Sequence, residues 1–133
     1  MVPTTASTIG KELIFDIPNR PGELRKITKT LSGAGINIAG ITAIGLGSTS
    51  SVRIVPESVE PAIQALKQAR IPFTTRDVLT LSVPNVPGEL DRRLAKVVDS
   101  GINIECLFPT VTKAGAALTF EVDNPHKLGE LLR

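Results

Sequence analysis

Two short strings recur in this chain at one fixed displacement. Residues 19–24, Asn-Arg-Pro-Gly-Glu-Leu, return at 85–90 as Asn-Val-Pro-Gly-Glu-Leu, and Gly-Ile-Asn-Ile at 35–38 returns at 101–104; both displacements are 66 residues. Two separate matches in one register mark an internal duplication, and a repeat limits the fold more than any single motif does. With only two copies, the chain reads as a doubled small domain rather than a solenoid.

Each copy yields the same coarse string of elements. In the first, the apolar run Leu13–Ile17 before Pro18 predicts a strand. Pro21 and Gly22 mark a turn, and Leu24, Ile27 and Leu31 then follow at helical spacing until Gly33 and Gly35. Ile36–Ile44 predicts a second strand, Gly45–Ser48 a hairpin turn and Ser51–Val55 a third strand. Val59, Ile63 and Leu66 share one face of a second helix, and Ile71–Thr75 predicts a fourth strand. The second copy repeats this as strand 77–83, helix 89–100, strand 102–112, strand 116–122 and helix 127–132, with no closing strand after Arg133. The expected organisation is a loose tail at 1–8, one unit at 9–75 and a second at 76–133 that lacks its final strand. A βαββαβ order places both helices on one face of an antiparallel sheet, an α+β architecture. The uncovered faces and the missing strand together predict a homodimer or higher assembly.

Composition bounds the chemistry. The chain has 133 residues, 41% of them apolar, but only four Phe and no Trp or Tyr, so its cores must be aliphatic. A unit of about 65 residues buries only ~60% of its unfolded surface and gains from a neighbour. Fifteen basic residues against thirteen acidic ones leave a formal +2, without the clustered basic stripe of a nucleic-acid binder. Cys106 is the single cysteine, which excludes an intrachain disulfide. No apolar run approaches a signal peptide or a membrane span, so a cytoplasmic protein with no membrane partner is expected.

The strand, the Asn-Arg-Pro-Gly-Glu-Leu loop, the amphipathic helix and Gly-Ile-Asn-Ile together resemble the ACT domain. The similarity is greatest to the regulatory domain of phosphoglycerate dehydrogenase and to standalone tandem-ACT proteins, and it extends over residues 9–133. It implies two ferredoxin-like units that sense a small molecule, usually an amino acid, without catalysis. The residues themselves point the same way. A loop that opens a helix presents backbone N–H groups and partial positive charge, a setting for a carboxylate. Gly22 and Gly88 let backbone come close to a ligand. Asn19 and Asn85 offer donor and acceptor at the ends of the first strands, and Asn37 and Asn103 are polar residues between isoleucines where strand propensity disfavours them. By the resemblance, ligands sit where the loop of one unit meets the second strand of a paired unit. Asn19, Arg20, Pro21 and Gly22 would then face Asn103, and Asn85, Val86, Pro87 and Gly88 would face Asn37. Pro-Gly is also a folding device, and an Asn before a turn often bonds only its own backbone. Val86 replaces Arg20, so the two loops need not be equivalent. Ile17 stands near where the serine-binding dehydrogenase domains carry a polar side chain, which argues against serine.

Other chemistry finds little footing. His126 is the only histidine, too few for a His-based metal cluster, and no cofactor is expected. Cys106 reads as a small core residue and Gly45-Leu46-Gly47 as a hairpin rather than a nucleotide fingerprint. Arg93 takes the place of Ile27 and is expected to snorkel from the edge of the apolar face. The leading expectation is a regulatory sensor. The alternative is an interaction subunit that pairs with a catalytic enzyme, for which Asn103-Ile104-Glu105 resembles a segment of the acetolactate synthase small subunit. RNA recognition lacks the aromatic platforms it needs, and no acid–base or nucleophile pair suggests an enzyme.

Overall fold

The computed structural model describes residues 6–112 and 115–132. Ten elements follow in order: β1 (Ala6–Pro18), α1 (Glu23–Gly33), β2 (Ile38–Leu46), β3 (Thr49–Pro56), α2 (Val59–Gln68), β4 (Thr74–Val83), α3 (Glu89–Ser100), β5 (Ile104–Thr112), β6 (Gly115–Val122) and α4 (Pro125–Leu131). They form two compact units, one of Lys11–Arg76 and one of Met1–Gly10 with Asp77–Arg133.

In the Lys11–Arg76 unit the strand order is β2-β3-β1-β4. β3 runs antiparallel to both neighbours, pairing Leu13 with Ile54 and Phe15 with Val52 on one side, and Ile41 with Ile54 on the other. Alternate residues of β1 and β3 point to one face, where Leu13, Phe15, Val52 and Ile54 are buried. α1 covers that face with Ile27 and Leu31, α2 with Ala62 and Leu66, and the two helices pack on each other. Each fully buried side chain of this kind stabilises by ~1.5–3 kcal/mol. Phe73 tilts against Phe15 with ring centroids 6.2 Å apart.

The second unit repeats the arrangement in register. β4 pairs with β6 as Leu79 with Phe120 and Leu81 with Leu118, the β1–β3 pairing displaced by 66 residues. The bulge between Ile38 and Gly40 in β2 returns between Ile104 and Cys106 in β5. A separate aliphatic core gathers Leu79, Leu81, Val97, Leu118, Phe120, Val122 and Leu128.

The structure departs from the sequence-based expectation in several places. Gly45 and Leu46, expected in the hairpin turn, end β2 and pair with Ser50 and Thr49, which leaves Gly47-Ser48 as the turn. The predicted strands 71–75 and 77–83 are one strand, β4, because no turn residue interrupts the run from Thr74 to Val83. Ala6–Thr8, expected in a loose tail, open β1; residues 1–5 of that tail lie outside the described residues. The fourth strand that the second copy lacks is supplied by β1. Ala6–Gly10 fall in the same unit as Asp77–Val83, and β1 is the neighbour of β4, so the order there is β1-β4-β6-β5. A polar strand suffices at this edge, where backbone hydrogen bonds carry the pairing. The open slot is therefore no longer a reason for oligomerisation.

No helix among the described residues is long and apolar enough to cross a membrane.

Removing residues 1–10 should unpair one side of β4. Amide hydrogen exchange of Asp77–Val83 should accelerate, whereas exchange of β2 should hold. Unchanged exchange in β4 would show that Ala6–Gly10 contribute nothing to its protection.

Candidate ligand-binding site

The first repeated loop is built by β1 and α1. Asn19 leaves β1 with its backbone N–H donating to the Ser48 carbonyl at 2.9 Å, and its side-chain Nδ2 donates to the Gly47 carbonyl at 2.9 Å. Both acceptors lie on the β2–β3 hairpin, so the loop is tied to the neighbouring turn at two points. The Arg20 N–H donates to Pro18 and the Glu23 N–H to Arg20, which closes the turn before α1. Gly22 stands at the N-cap with φ 89° and ψ −15°, and no side chain caps the helix.

Gly88 repeats this backbone, φ 90° and ψ −12°, at the N-cap of α3, and the Glu89 N–H donates to Val86. A Cβ added to Gly22 or Gly88 would meet nothing within 4 Å. The requirement for glycine visible here is thus conformational, since L residues rarely adopt this backbone.

A residue that the sequence marked only as a helix start dominates the electrostatics. Glu23 is half-buried, and its Oε1 accepts from Arg20 Nε at 2.9 Å and Lys26 Nζ at 3.1 Å. The hydrogen bond from Arg20, then that from Lys26, holds the carboxyl below the ordinary carboxylate range. Glu89 is the counterpart, with Arg92 Nη2 at 2.7 Å and Arg93 Nη2 at 3.3 Å. Arg93 therefore does not snorkel outward as expected; it folds onto Glu89 and is 12% exposed. The signal for both carboxylates was present, because Glu is part of the repeated string.

Asn19 and Arg20 line an open cleft of about 230 Å³ that lies wholly within the Lys11–Arg76 unit. Ile17, Leu24, Ile44 and Val52 supply apolar wall, and Glu23, Gly45 and Ser50 complete the polar part. Pro21 and Gly22 are exposed beside it and do not line it. Asn37 is not brought to this cleft in its own unit. It precedes β2, and its carbonyl accepts from the Glu57 N–H at 3.0 Å. That places it at the Pro56 end of β3, whereas Asn19 lies at the Thr49 end, roughly 20 Å away at strand rise. Asn103 is held likewise, its N–H donating to Asp123 Oδ1 at 3.3 Å, and Asn85, Val86 and Pro87 are exposed on their loop.

His126 is exposed, with Nε2 3.5 Å from Asp77 Oδ2, and Cys106 is half-buried on β5. Among the described residues, no group of three or more His, Cys, Asp or Glu side chains could hold a metal. A second shallow cleft of about 220 Å³, lined by Ser7, Ile9, Leu79, His126, Gly129 and Glu130, holds none of the ligand-binding residues expected from the sequence.

The backbone at Gly22 makes a direct prediction. Gly22→Val should cost ~1–3 kcal/mol through strain at positive φ, and Gly22→Asn less, because Asn tolerates that region better. Urea unfolding measures both. A Gly22→Val protein as stable as the parent would show that this turn is not held in solution.

Comparison with known proteins follows the same lines. A family model described as an ACT domain pair matches residues 7–132. Protein BT0572 of Bacteroides thetaiotaomicron has a similar structure, at TM-score 0.85 and 25% identity, covering 95% of this chain and 88% of that one. The ligand-free regulatory subunit of aspartate kinase from Thermus thermophilus superposes at TM-score 0.73 with 17% identity, covering 99% and 97% of the two chains. The corresponding subunit from Thermus flavus does so at 0.63 with 17% identity, covering 98% and 92%. No curated protein sequence matches the chain. The match over nearly its whole length, together with two βαββ frames in one register, places this chain in the ACT domain pair family.

Proposed function

We propose that this protein is a non-catalytic regulatory protein that senses an α-amino acid at the Asn19–Gly22 loop, with an aliphatic side chain on the ligand. The cleft beside Arg20 carries this reading. An α-amino acid has a carboxylate, an ammonium and a side chain, and the cleft offers a partner for each. Arg20 and the first-turn amides of α1 suit the carboxylate. The Glu23 carboxylate, already held ionised by Arg20 and Lys26, suits the ammonium. Ile17, Leu24, Ile44 and Val52 suit a hydrocarbon chain, which also speaks against serine. The regulatory subunits of aspartate kinase among the similar structures fit a regulatory role.

The second reading, an interaction subunit for a catalytic enzyme, shares one observation with self-association. β2 is an edge strand of uncharged residues, and Ile41, Ile44 and Leu46 on it are exposed. Such an edge is a template for another strand. A second copy of the chain is the simplest occupant, and a homodimer is part of the proposal.

Calorimetry with valine, leucine, isoleucine and serine tests the sensor reading. The aliphatic three should bind and raise the unfolding midpoint, since a ligand of the folded state stabilises it. Serine should bind more weakly. Arg20→Ala should cost ~1.5–3 kcal/mol of affinity, the range for a hydrogen bond to a charged group. Absence of binding by any amino acid would favour the interaction subunit. Light scattering addresses assembly, and a species of only 14.1 kDa at tens of micromolar would oppose the dimer.

A further inference from the structure

We propose that Gly45 decides which of the two repeated loops binds ligand, by leaving room for the Asn19 carboxamide to latch onto the β2–β3 hairpin; this rests on the amino-acid reading of the cleft. Gly45 lies inside β2, where glycine weakens a strand and calls for a reason. Backbone conformation is not that reason, because Gly45 lacks the positive φ of Gly22, Gly35 and Gly47. Space is. A Cβ at position 45 would sit 2.9 Å from Asn19 Nδ2, 3.4 Å from its Cγ and 3.5 Å from its Oδ1. A side chain there forces the carboxamide to shift from its present place beside the Gly47 carbonyl, to which it donates at 2.9 Å.

That donation has a chemical consequence. A carbonyl can only accept, so the NH2 end of Asn19 faces Gly47 and the amide cannot flip. Asn19 then meets a ligand in one prepared orientation rather than several, which lowers the entropy lost on binding. Gly45 and Asn19 both line the cleft.

The second copy lacks the condition for this latch. Gly45 pairs with Ser50 across its hairpin, and the pair displaced by 66 residues is Val111 with Ala116. The sequence carries valine where the first copy has glycine, and on this proposal the second loop therefore lacks the open position that Asn19 uses. Val86 also replaces Arg20. Two independent substitutions thus remove from the second loop the orienting amide and the cation. The first loop is the ligand site, and the chain binds one equivalent.

Titration calorimetry with leucine, valine and isoleucine on the full chain tests this, alongside amide NMR. The parent should bind one equivalent per chain. Gly45→Ala should fold, with an unfolding midpoint close to the parent's, yet bind at least tenfold more weakly. Asn19→Ala should lose a similar amount, and the double variant no more than either single one, because both remove the same latch. The Asn19 side-chain NH2 signals should be dispersed and slow to exchange in the parent and collapse to unstructured values in Gly45→Ala, with no ligand needed. Full affinity in a folded Gly45→Ala, two equivalents bound, or additive losses would overturn the role of Gly45 while leaving the cleft as the site. A parent that binds none of the three would overturn the amino-acid reading and this inference with it, whatever the NMR shows.

Discussion

Every strand inside a sheet needs hydrogen-bonding partners on both sides, and that requirement organises this fold. β4 carries Leu79 and Leu81 into an aliphatic core, and its backbone is stabilised only when both flanks are paired. β6 fills one flank. The other is filled by β1, a strand of thirteen residues whose first part belongs with Asp77–Val83 and whose second part carries Leu13 and Phe15 into the other core. Within the unit of Asp77–Arg133, the short segment Ala6–Gly10, without strong apolar character, becomes structural because its contribution is backbone pairing rather than burial.

The repeated loops show how one backbone solution can be kept while its chemistry diverges. Gly22 and Gly88 adopt the same positive φ and open equivalent helices. Behind each sits a glutamate paired with cations, half-buried in the first copy and buried in the second, where a carboxylate with little water is costly unless it is paired. In the first copy one cation comes from the loop itself, Arg20. In the second both come from the helix, Arg92 and Arg93. The replacement of Ile27 by Arg93 is part of that change. With Val86 on the loop, the charge that neutralises Glu89 must come from elsewhere, and Arg93 supplies it from a position that would otherwise be core. The same electrostatic need is met twice, but only the first solution leaves a cation beside the cleft.

Much of this was legible in the residues. The 66-residue register, the strand–loop–helix frame and the alternating apolar faces follow from local patterns, and the α3 bounds 89–100 agree with the structure. Asn19 and Arg20 were singled out by the repeat, and both line the cleft. Pro21 and Gly22 shape the turn without lining it. Asn37 and Asn103 were picked out by their unusual place between isoleucines; in the structure the Asn37 carbonyl accepts from the Glu57 N–H, and the Asn103 N–H donates to Asp123 Oδ1. Glu23 was read only as a helix start, and Gly45 as part of the hairpin turn rather than of β2. Nothing local distinguishes a helix-opening glutamate from one that gathers two cations, or a strand glycine that fits a carboxamide from one that fits nothing.

The sequence by itself determined the duplication, the order of elements and the identity of the turn glycines, because these depend on periodicity and on backbone preferences that act within a few residues. Only the tertiary structure decided where the missing strand comes from, which cations gather on the glutamate at each helix start, and which hairpin residues the first loop meets. Those outcomes join residues far apart in the chain, Gly10 with Asp77 in one unit or Asn19 with Gly47 across one turn. Their energy comes from pairing and close approach in three dimensions, which local pattern does not encode.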